Sequence, residues 1–358
     1  MHQYEDKKMN NVVKFIKETI NQTPFSKEIT VYGWQSQFKH NLIQSVSSYL
    51  FEDFEVIENL APLTNENRPA NIKPKVYITV HDTGDSDPNH TAKFWSDTVR
   101  NEFWEQGKYA CSYQYVVGCD GTYQQIPDNE VAWHAGDTTK FDYKLYKTNV
   151  SGTNPKPSIT ISEDGYFEIN KVKSNILAPR KHIERDGKVI EDSVAQTKDI
   201  CDQGILCKLI DGTYYIGEVY FNETYELIAN RGGNNNSIGI ESCVNEGTDI
   251  YYTWQKTAKL VANLLYKHDL GFDDVKQHHY YSGKNCPETM RRNGMWEHFM
   301  ELVRVEYQFL LFIKDGYKFK FIPKTSNVLK NGRLTSLSET TSFQIEITNG
   351  LEKEILEF

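Results

Sequence analysis

The hydrophobic positions of this chain follow two different periods, and their alternation predicts an α/β protein. Apolar residues that recur every three to four positions predict amphipathic helices at 9–24, 38–52, 91–106, 254–268 and from Pro287 to about 313. Short apolar runs between these segments predict strands at 76–80, 112–118, 122–126 and 238–244. The second and third runs flank a Cys-Asp-Gly turn, and we expect them to form a hairpin.

Two further regions depart from this pattern. From about 138 to 232, polar turn residues separate short β-rich runs at 158–161, 166–169 and 214–221, without a helical period of useful length. We interpret this region as a β-rich insertion. Residues 316–358 alternate between apolar and polar like strands, which predicts a small C-terminal β module.

The composition is that of a globular protein, and it restricts the partners to be expected. The 358 residues carry a net charge of −9, and the pI of about 5.6 argues against a nucleic-acid-binding protein. No run of about 18 apolar residues occurs, so we expect no membrane span. The charged N-terminal residues lack the apolar stretch of a secretion signal. Synthesis in the cytoplasm without a signal peptide is therefore the expectation.

None of the six cysteines forms a Cys-x-x-Cys pair. Six could form three disulfides, but we expect reduced thiols because a chain of this size made in the cytoplasm usually keeps them so. Cys111, Cys119 and Cys243 are interpreted as buried strand residues. Cys201 and Cys207 flank a short loop and could form a disulfide after release from the cell.

The segment 277–287 carries the most informative chemistry. His278 and Cys286 lie eight residues apart across a Ser-Gly turn, and an imidazole and a thiol placed in this way can converge on one soft divalent ion. A catalytic zinc usually takes three protein ligands and keeps a fourth position open for water. His81 is the best third candidate, because it ends an apolar run that would deliver it to a sheet edge. His279 is the alternative to His278, although the spacing favours His278.

The segment 277–287 is the last of four motifs that are separated along the chain. They are Val-His-Asp-Thr-Gly at 80–84, Ala-Trp-His-Ala-Gly-Asp at 132–137, Ser-Ile-Gly-Ile-Glu at 237–241 and the segment that ends at Cys286. In this order they resemble the type-2 N-acetylmuramoyl-L-alanine amidases, a family that includes phage endolysins, bacterial autolysins and animal peptidoglycan-recognition proteins. The resemblance covers about 72–137 and 232–310.

The resemblance implies a fold and a division of the chain. The fold is α/β, with a central mixed β-sheet flanked by helices and the metal at one sheet edge. We expect an N-terminal helical extension at 1–70 and a zinc amidase catalytic domain at 71–314, with the insertion at about 138–232. The C-terminal β module, 315–358, is a possible wall-binding or attachment element.

The resemblance also implies the central roles at the site. His81, His278 and Cys286 match the ligands of one zinc ion. Glu241 matches an acidic residue that can take a proton from water and hand one to the leaving amine. On an apolar strand this carboxylate would be costly to bury without a partner, which also favours a place in the site.

The resemblance also implies roles for residues around the zinc ligands and Glu241. Lys284 and Tyr113 match groups that stabilise the oxyanion, and His134 and Thr83 are expected to bind substrate. Alternatives stay open, since Lys284 could be a solvated charge, Tyr113 a core residue and His134 a structural histidine. Gln114 stands where many relatives have a histidine, and the connection that contains the insertion is longer than is usual in the family.

The function implied is zinc-dependent hydrolysis of the amide between N-acetylmuramic acid and L-alanine in bacterial peptidoglycan. The protein would act on the wall after release, as a phage or prophage lysin or as an autolysin. The alternative is a non-catalytic peptidoglycan-binding or phage structural protein with the same fold. Recognition-only relatives typically lose the metal cysteine, so Cys286 argues against that alternative.

Overall fold

The structure is a computed structural model that describes residues 2–20, 25–40, 54–136, 145–154, 157–178, 180–185, 188–194, 207–217, 233–282, 284–326 and 342–358. The elements up to the insertion are α1 (His2–Ile20), β1 (Phe25–Thr30), β2 (Gln35–His40), β3 (Ile57–Glu58), β4 (Tyr77–Asp82), α2 (Ala92–Asn101), β5 (Phe103–Trp104), β6 (Gly107–Lys108), β7 (Tyr115–Gly118) and β8 (Gly121–Gln124). Those of the insertion are β9 (Leu145–Ser151), β10 (Ile159–Ile161), β11 (Tyr166–Ile169), β12 (Val172–Leu177), β13 (Arg180–Arg185), β14 (Lys188–Val194), β15 (Cys207–Ile210) and β16 (Thr213–Gly217).

The chain then returns to the main body. The elements there are α3 (Gly233–Asn236), β17 (Ser237–Ser242), α4 (Ile250–His268), a 3₁₀ helix (Phe272–Asp274), β18 (Val275–Gln277), α5 (His279–Ser282), α6 (Glu288–Arg292), α7 (Trp296–Lys314), β19 (Lys318–Pro323), β20 (Phe343–Asn349) and β21 (Glu352–Glu357).

The predicted central mixed sheet is confirmed. Its strand order is β18-β4-β17-β7-β8-β3. Strands β18, β4, β17 and β7 run parallel, and β7 and β8 form the expected antiparallel hairpin. Apolar side chains of β4, β17 and β7 pack with α4 and α7 in the main core, whereas Val116 packs with Trp95 and Val99 of α2 in a second cluster. Helices therefore flank both faces of the sheet.

The N-terminal part is only partly helical. The helix predicted at 9–24 is present as α1, but residues 38–40 of the second predicted helix belong to β2, which pairs with β1 in a hairpin. Residues 41–52 of that prediction lie outside the described residues. The apolar stripe of α1, formed by Met9, Val12 and Ile16, packs into the main core. No helix in the described ranges is both long and apolar enough to cross a membrane.

Of two predicted helices, one ends earlier than its hydrophobic pattern indicates and the other is interrupted. The helix predicted at 91–106 ends at Asn101, because Glu102 adopts a left-handed conformation with φ 60° and residues 103–108 form the small β5–β6 hairpin. The helix predicted from Pro287 to about 313 is two helices, α6 and α7, separated near Gly294, whose φ is +65°. The apolar period continues across the break because both helices face the same core.

The insertion is β-rich, as predicted. Strands β10, β11 and β12 form one three-stranded sheet, and β15, β16 and β9 form another. The two sheets enclose a core of their own, whose buried members are Val150, Phe167, Ile169, Tyr214 and Ile216.

The C-terminal residues form the antiparallel sheet β19-β20-β21, as the alternating pattern predicts. This sheet does not have a separate core. Phe321, Phe343, Ile345 and Ile347 are buried in the same cluster as α4 and α7, and the rings of Phe309 on α7 and Phe319 on β19 have centroids 4.4 Å apart. The C-terminal β module is thus packed against the main body.

The cysteine expectations have mixed outcomes. Cys243 is buried, as predicted, but Cys111 is exposed and Cys119 is partly exposed in the turn after β7. Cys207 is a free thiol among the described residues, and Cys201 lies outside them.

Candidate functional site

Two side chains of the site stand on neighbouring parallel strands. His81 on β4 and Glu241 on β17 are direct partners in the register of these strands. Directly paired residues present their side chains on the same face of a sheet, and Nδ1 of His81 lies 3.8 Å from Oε1 of Glu241. Both residues are near the C-terminal ends of their strands, the edge at which open α/β sheets bind ligands.

Two more residues reach this edge from the segment after β18. That strand pairs with the other side of β4, so His278, which follows it, arrives next to His81. The segment then folds back, because the backbone N–H of His279 donates to the carbonyl oxygen of Cys286 at 3.1 Å. His81, His278 and Cys286 are all buried, and their ligand atoms lie within 4.8 Å of one another.

The geometry and the chemistry of these three residues fit a zinc ion. Tetrahedral zinc with ordinary Zn–N and Zn–S bonds separates nitrogen and sulfur ligands by ~3.6 Å, and Nδ1 of His81 lies 3.8 Å from Sγ of Cys286. Nδ1 of His278 is buried without a hydrogen-bond partner among the described residues, which is costly unless an ion is bound. The predicted ligand set is therefore brought together, with His278 in it and not His279.

Burial sets the charge of these ligands. It lowers the pKa of His81 well below its usual value, and nearby His278, His134 and Lys284 add to this effect. Burial and the same lysine lower the pKa of His278 to about 3. Both imidazoles are consequently neutral near pH 7, which is the form that binds metal. Burial raises the pKa of the Cys286 thiol, so the thiolate requires a cation beside it.

His134 lies behind His81 and not in an open cleft. Its Nδ1 is 2.9 Å from Nε2 of His81, and its Nε2 is 3.5 Å from the hydroxyl of Ser237. Gly239 makes this position possible, since a Cβ there would lie 2.6 Å from the imidazole ring. Both ring nitrogens are thus engaged within the protein, which disagrees with the expected substrate contact and favours the alternative of a structural histidine.

Glu241 has a buried carboxyl group with an unusually high pKa. Burial raises the pKa of its carboxyl group to about 8, against the opposing charge of Lys284 and with a contribution from Asp82. Its Oε2 has no hydrogen-bond partner among the described residues. A carboxyl group of this kind can hold or release a proton near neutral pH. Lys284 is exposed beside it, close enough for its charge to act on Glu241, His81 and His278.

Sequence comparison matches this arrangement to one family. The sequence model of the N-acetylmuramoyl-L-alanine amidases matches residues 71–289, more than half of the chain. The chain belongs to the N-acetylmuramoyl-L-alanine amidase family.

Individual relatives agree with this amidase assignment. The chain is 30% identical over 118 residues to the N-acetylmuramoyl-L-alanine amidase CwlH of Bacillus subtilis, which is 33% of this chain and 42% of CwlH. It is 28% identical over 131 residues to the amidase CwlA of the same organism, covering 36% of this chain and 40% of CwlA. The chain thus spans about two fifths of the length of these curated relatives.

Solved structures resemble this amidase-family chain more distantly. The structure of the catalytic domain of XlyA is 20% identical, with a TM-score of 0.41, and the match covers 70% of this chain and 99% of that domain. The hydrolase AmiA of Staphylococcus aureus, in complex with its ligand, is 10% identical with a TM-score of 0.39, and the match covers 76% of this chain and 93% of AmiA.

The hydrogen bond that the described residues show for the Tyr113 hydroxyl leads away from His81, His278 and Cys286 in this amidase-family site. It is buried in the cluster that contains Trp95 and Val99, and its hydroxyl donates to the backbone carbonyl of Trp95 at 3.5 Å. Burial raises its pKa, with contributions from Tyr109 and Glu241, so it lies within electrostatic range of the carboxylate. These contacts favour the core interpretation that the sequence left open.

Thr83 remains a candidate for substrate contact in the amidase-family site. Its backbone N–H donates to the carbonyl of Ser242 at 3.1 Å, which joins the ends of β4 and β17. Its buried hydroxyl has no hydrogen-bond partner among the described residues.

The structure defines three features of this site that the sequence left open or did not indicate. Gln114 differs from the histidine of many amidase relatives and has a structural role, since its amide oxygen accepts from the Gly239 N–H and its nitrogen donates to Glu130. Asp82 accepts from the Thr289 N–H at 2.6 Å and fixes the start of α6 behind the cluster. Tyr32, far away in sequence, packs over Gly84. No local pattern could have found Tyr32.

Proposed function

We propose that this protein is a zinc-dependent amidase that cleaves the bond between the lactyl group of N-acetylmuramic acid and L-alanine in peptidoglycan. The observation that carries the proposal is the convergence of His81, His278 and Cys286 within 4.8 Å, with the carboxylate of Glu241 3.8 Å from His81. Family membership supports the same reaction. The protein would act on the bacterial wall after release, as a phage or prophage lysin or as an autolysin.

The residues divide the chemistry between them. His81, His278 and Cys286 would hold the zinc, which when bound polarises a carbonyl and lowers the pKa of water. Glu241 takes a proton from the attacking water as the water oxygen adds to the lactyl carbonyl carbon. It then gives that proton to the nitrogen of L-alanine as the C–N bond breaks, so the products are a carboxylic acid and a free amine.

Lys284 supplies the positive charge that stabilises the carbonyl oxygen of the substrate during the reaction. Negative charge develops on the carbonyl oxygen during the addition, and a fixed cation near that oxygen lowers the barrier by roughly 3–4 kcal/mol. The charge of Lys284 acts on Glu241 and His278, which supports a position near the carbonyl oxygen of the substrate. We assign it, and not Tyr113, as the main oxyanion-stabilising group.

Cys286→Ser tests the proposal. We expect the native chain to bind about one equivalent of zinc, clear a suspension of cell walls and expose new N-terminal L-alanine without new reducing sugar ends. We expect Cys286→Ser to lose zinc and activity together, since a serine hydroxyl is a poor ligand at neutral pH. Cys207→Ser, which removes a free thiol in the insertion, is the matched control and should behave like the native chain.

Three results would contradict the proposal. Reducing ends without new amino termini would indicate a glycosidase. Unchanged clearing by Cys286→Ser would remove this residue from the mechanism. Wall binding by a zinc-loaded native chain without any bond cleavage would favour the non-catalytic peptidoglycan-binding alternative.

A further inference from the structure

The hairpin β1–β2 lies outside the part of the chain that matches the family, yet it is fixed to the main body. Ile29 and Val31 are fully buried in the main core. At its turn, the indole N–H of Trp34 donates to the carbonyl of Val244 at 3.0 Å. The backbone N–H and carbonyl of Thr30 both bond the side chain of Asn293, at 3.0 and 2.8 Å. The hairpin therefore holds a defined position.

That position is at the edge of the sheet that carries the metal cluster. Val244 comes two residues after β17, the strand of Glu241, and Gly84 comes two residues after β4, the strand of His81. The ring and hydroxyl of Tyr32, in the hairpin turn, lie 3.9 Å from the position that a Cβ on Gly84 would occupy. Gly84 has a φ of +71°, so the loop bends sharply under this ring. Tyr32 thus covers the loop that follows the ligand His81.

The charges around Tyr32 agree with this position. Burial raises its pKa above the usual value for tyrosine, and the charges of Asp82, Cys286, Glu288 and Glu241 raise it further. Two of these four groups are the thiol and the carboxylate of the site itself. The hydroxyl is consequently within electrostatic range of the cluster and stays protonated, so it is available as a hydrogen-bond donor.

We propose that the turn of the β1–β2 hairpin forms one wall of the substrate cleft and that Tyr32 donates a hydrogen bond to a carbonyl oxygen of the bound muramoyl-peptide. An uncharged acceptor fits better than a carboxylate, because the acidic side chains of Asp82 and Glu288 lie within electrostatic range of the hydroxyl. The inference rests on the proposed amidase function. It assigns a specificity residue to a segment that the family model does not include.

Tyr32→Phe tests the contact, because it removes only the hydroxyl. With a soluble muramoyl-peptide fragment, we expect KM to rise ~2- to 12-fold, the range for one lost hydrogen bond, with kcat changed less. Tyr32→Ala also removes the ring from the wall and should raise KM further. Zinc content and melting temperature of Tyr32→Phe should equal those of the native chain. Tyr266→Phe, on a half-exposed tyrosine of α4, is the matched control.

A binding measurement keeps the test independent of turnover. Calorimetric titration of the same fragment into Glu241→Gln, with and without Tyr32→Phe, should give a Kd that the second substitution weakens by the same ~2- to 12-fold. Equal Kd, KM and kcat values with and without the hydroxyl would overturn the role of Tyr32 and leave the amidase proposal intact. A native chain that neither binds nor cleaves the fragment would overturn both.

Discussion

Nε2 of His81 lies 2.9 Å from Nδ1 of His134, so the tautomers of these two neutral rings are coupled. Nδ1 of His81 faces the Cys286 thiol, so a metal bound there would leave the proton of the neutral ring on Nε2, from which it is donated to His134. His134 then carries its own proton on Nε2, which faces the Ser237 hydroxyl at 3.5 Å. Such a directed series of hydrogen bonds would orient His81 toward a bound metal, as is common behind metal-binding histidines.

His134→Ala should weaken zinc binding without removing a ligand. Loss of such an orienting partner typically lowers metal affinity ~10- to 100-fold, and competition with a chelator would measure the change. His298→Ala is the control, since His298 is a partly buried histidine that bonds Tyr251 on α4. Native zinc affinity in His134→Ala would show that His81 is oriented by its strand alone.

Glu241→Gln should separate metal binding from catalysis. The amide keeps the size of the side chain but cannot take up a proton, so the rate should fall by roughly 10²-fold or more. Zinc content, measured by atomic absorption, should be unchanged because Glu241 is not in the ligand set. A variant with near-native turnover would exclude Glu241 as the proton-transfer group.

Ile345→Ala should destabilise the whole protein and not only the C-terminal sheet. Ile345 is fully buried in the core shared with α4 and α7, and such a truncation usually costs about 2–5 kcal/mol of unfolding free energy. Ile355 on the adjacent strand β21 is 46% exposed, so Ile355→Ala should change the stability by about 0.5 kcal/mol or less. Chemical denaturation followed by tryptophan fluorescence would check both. If Ile345→Ala lost only the C-terminal sheet and the unfolding transition of the main body stayed unchanged, the two parts would not share a core.

Asp128 should contribute stability that depends on pH. Its buried carboxylate accepts hydrogen bonds from Tyr115, Lys267 and His268. Burial raises its pKa, but these hydrogen bonds outweigh burial, and the pKa ends below the usual 3.8. Because the folded pKa is the lower one, the contribution is present above pH 3.8 and is lost as the pH falls through the folded value.

Asp128→Asn should therefore be less stable than the native chain by about 1–3 kcal/mol at pH 7. The difference should become smaller as the pH falls below 3.8. Urea unfolding at pH 7 and at low pH would measure it, with Asp273→Asn as an exposed control. A difference that is constant with pH would assign the effect to packing and not to the charge of Asp128.

Local sequence patterns identified much of the fold and of the site. The strand that delivers His81, the hairpin β7–β8, the β-rich insertion and the helix α4 each follow from a period contained within the segment itself. The spacing of His278 and Cys286 was informative for the same reason, since one short loop closes between them. These features depend on neighbours in the sequence, so a single sequence can predict them.

Contacts between distant segments were decided only by the tertiary structure. His134 is 53 residues from His81, and the expected substrate role gave way to a contact that close packing over Gly239 creates. The local pattern did not indicate the hairpin of Tyr32. It did predict the strands of the Ile345 sheet, but not that this sheet and the hairpin are both part of the main core. The sequence by itself determined which residues could bind a metal and which segments could form strands and helices. The tertiary structure decided what surrounds them, because burial and hydrogen-bond partners come from packing between segments that no local period describes.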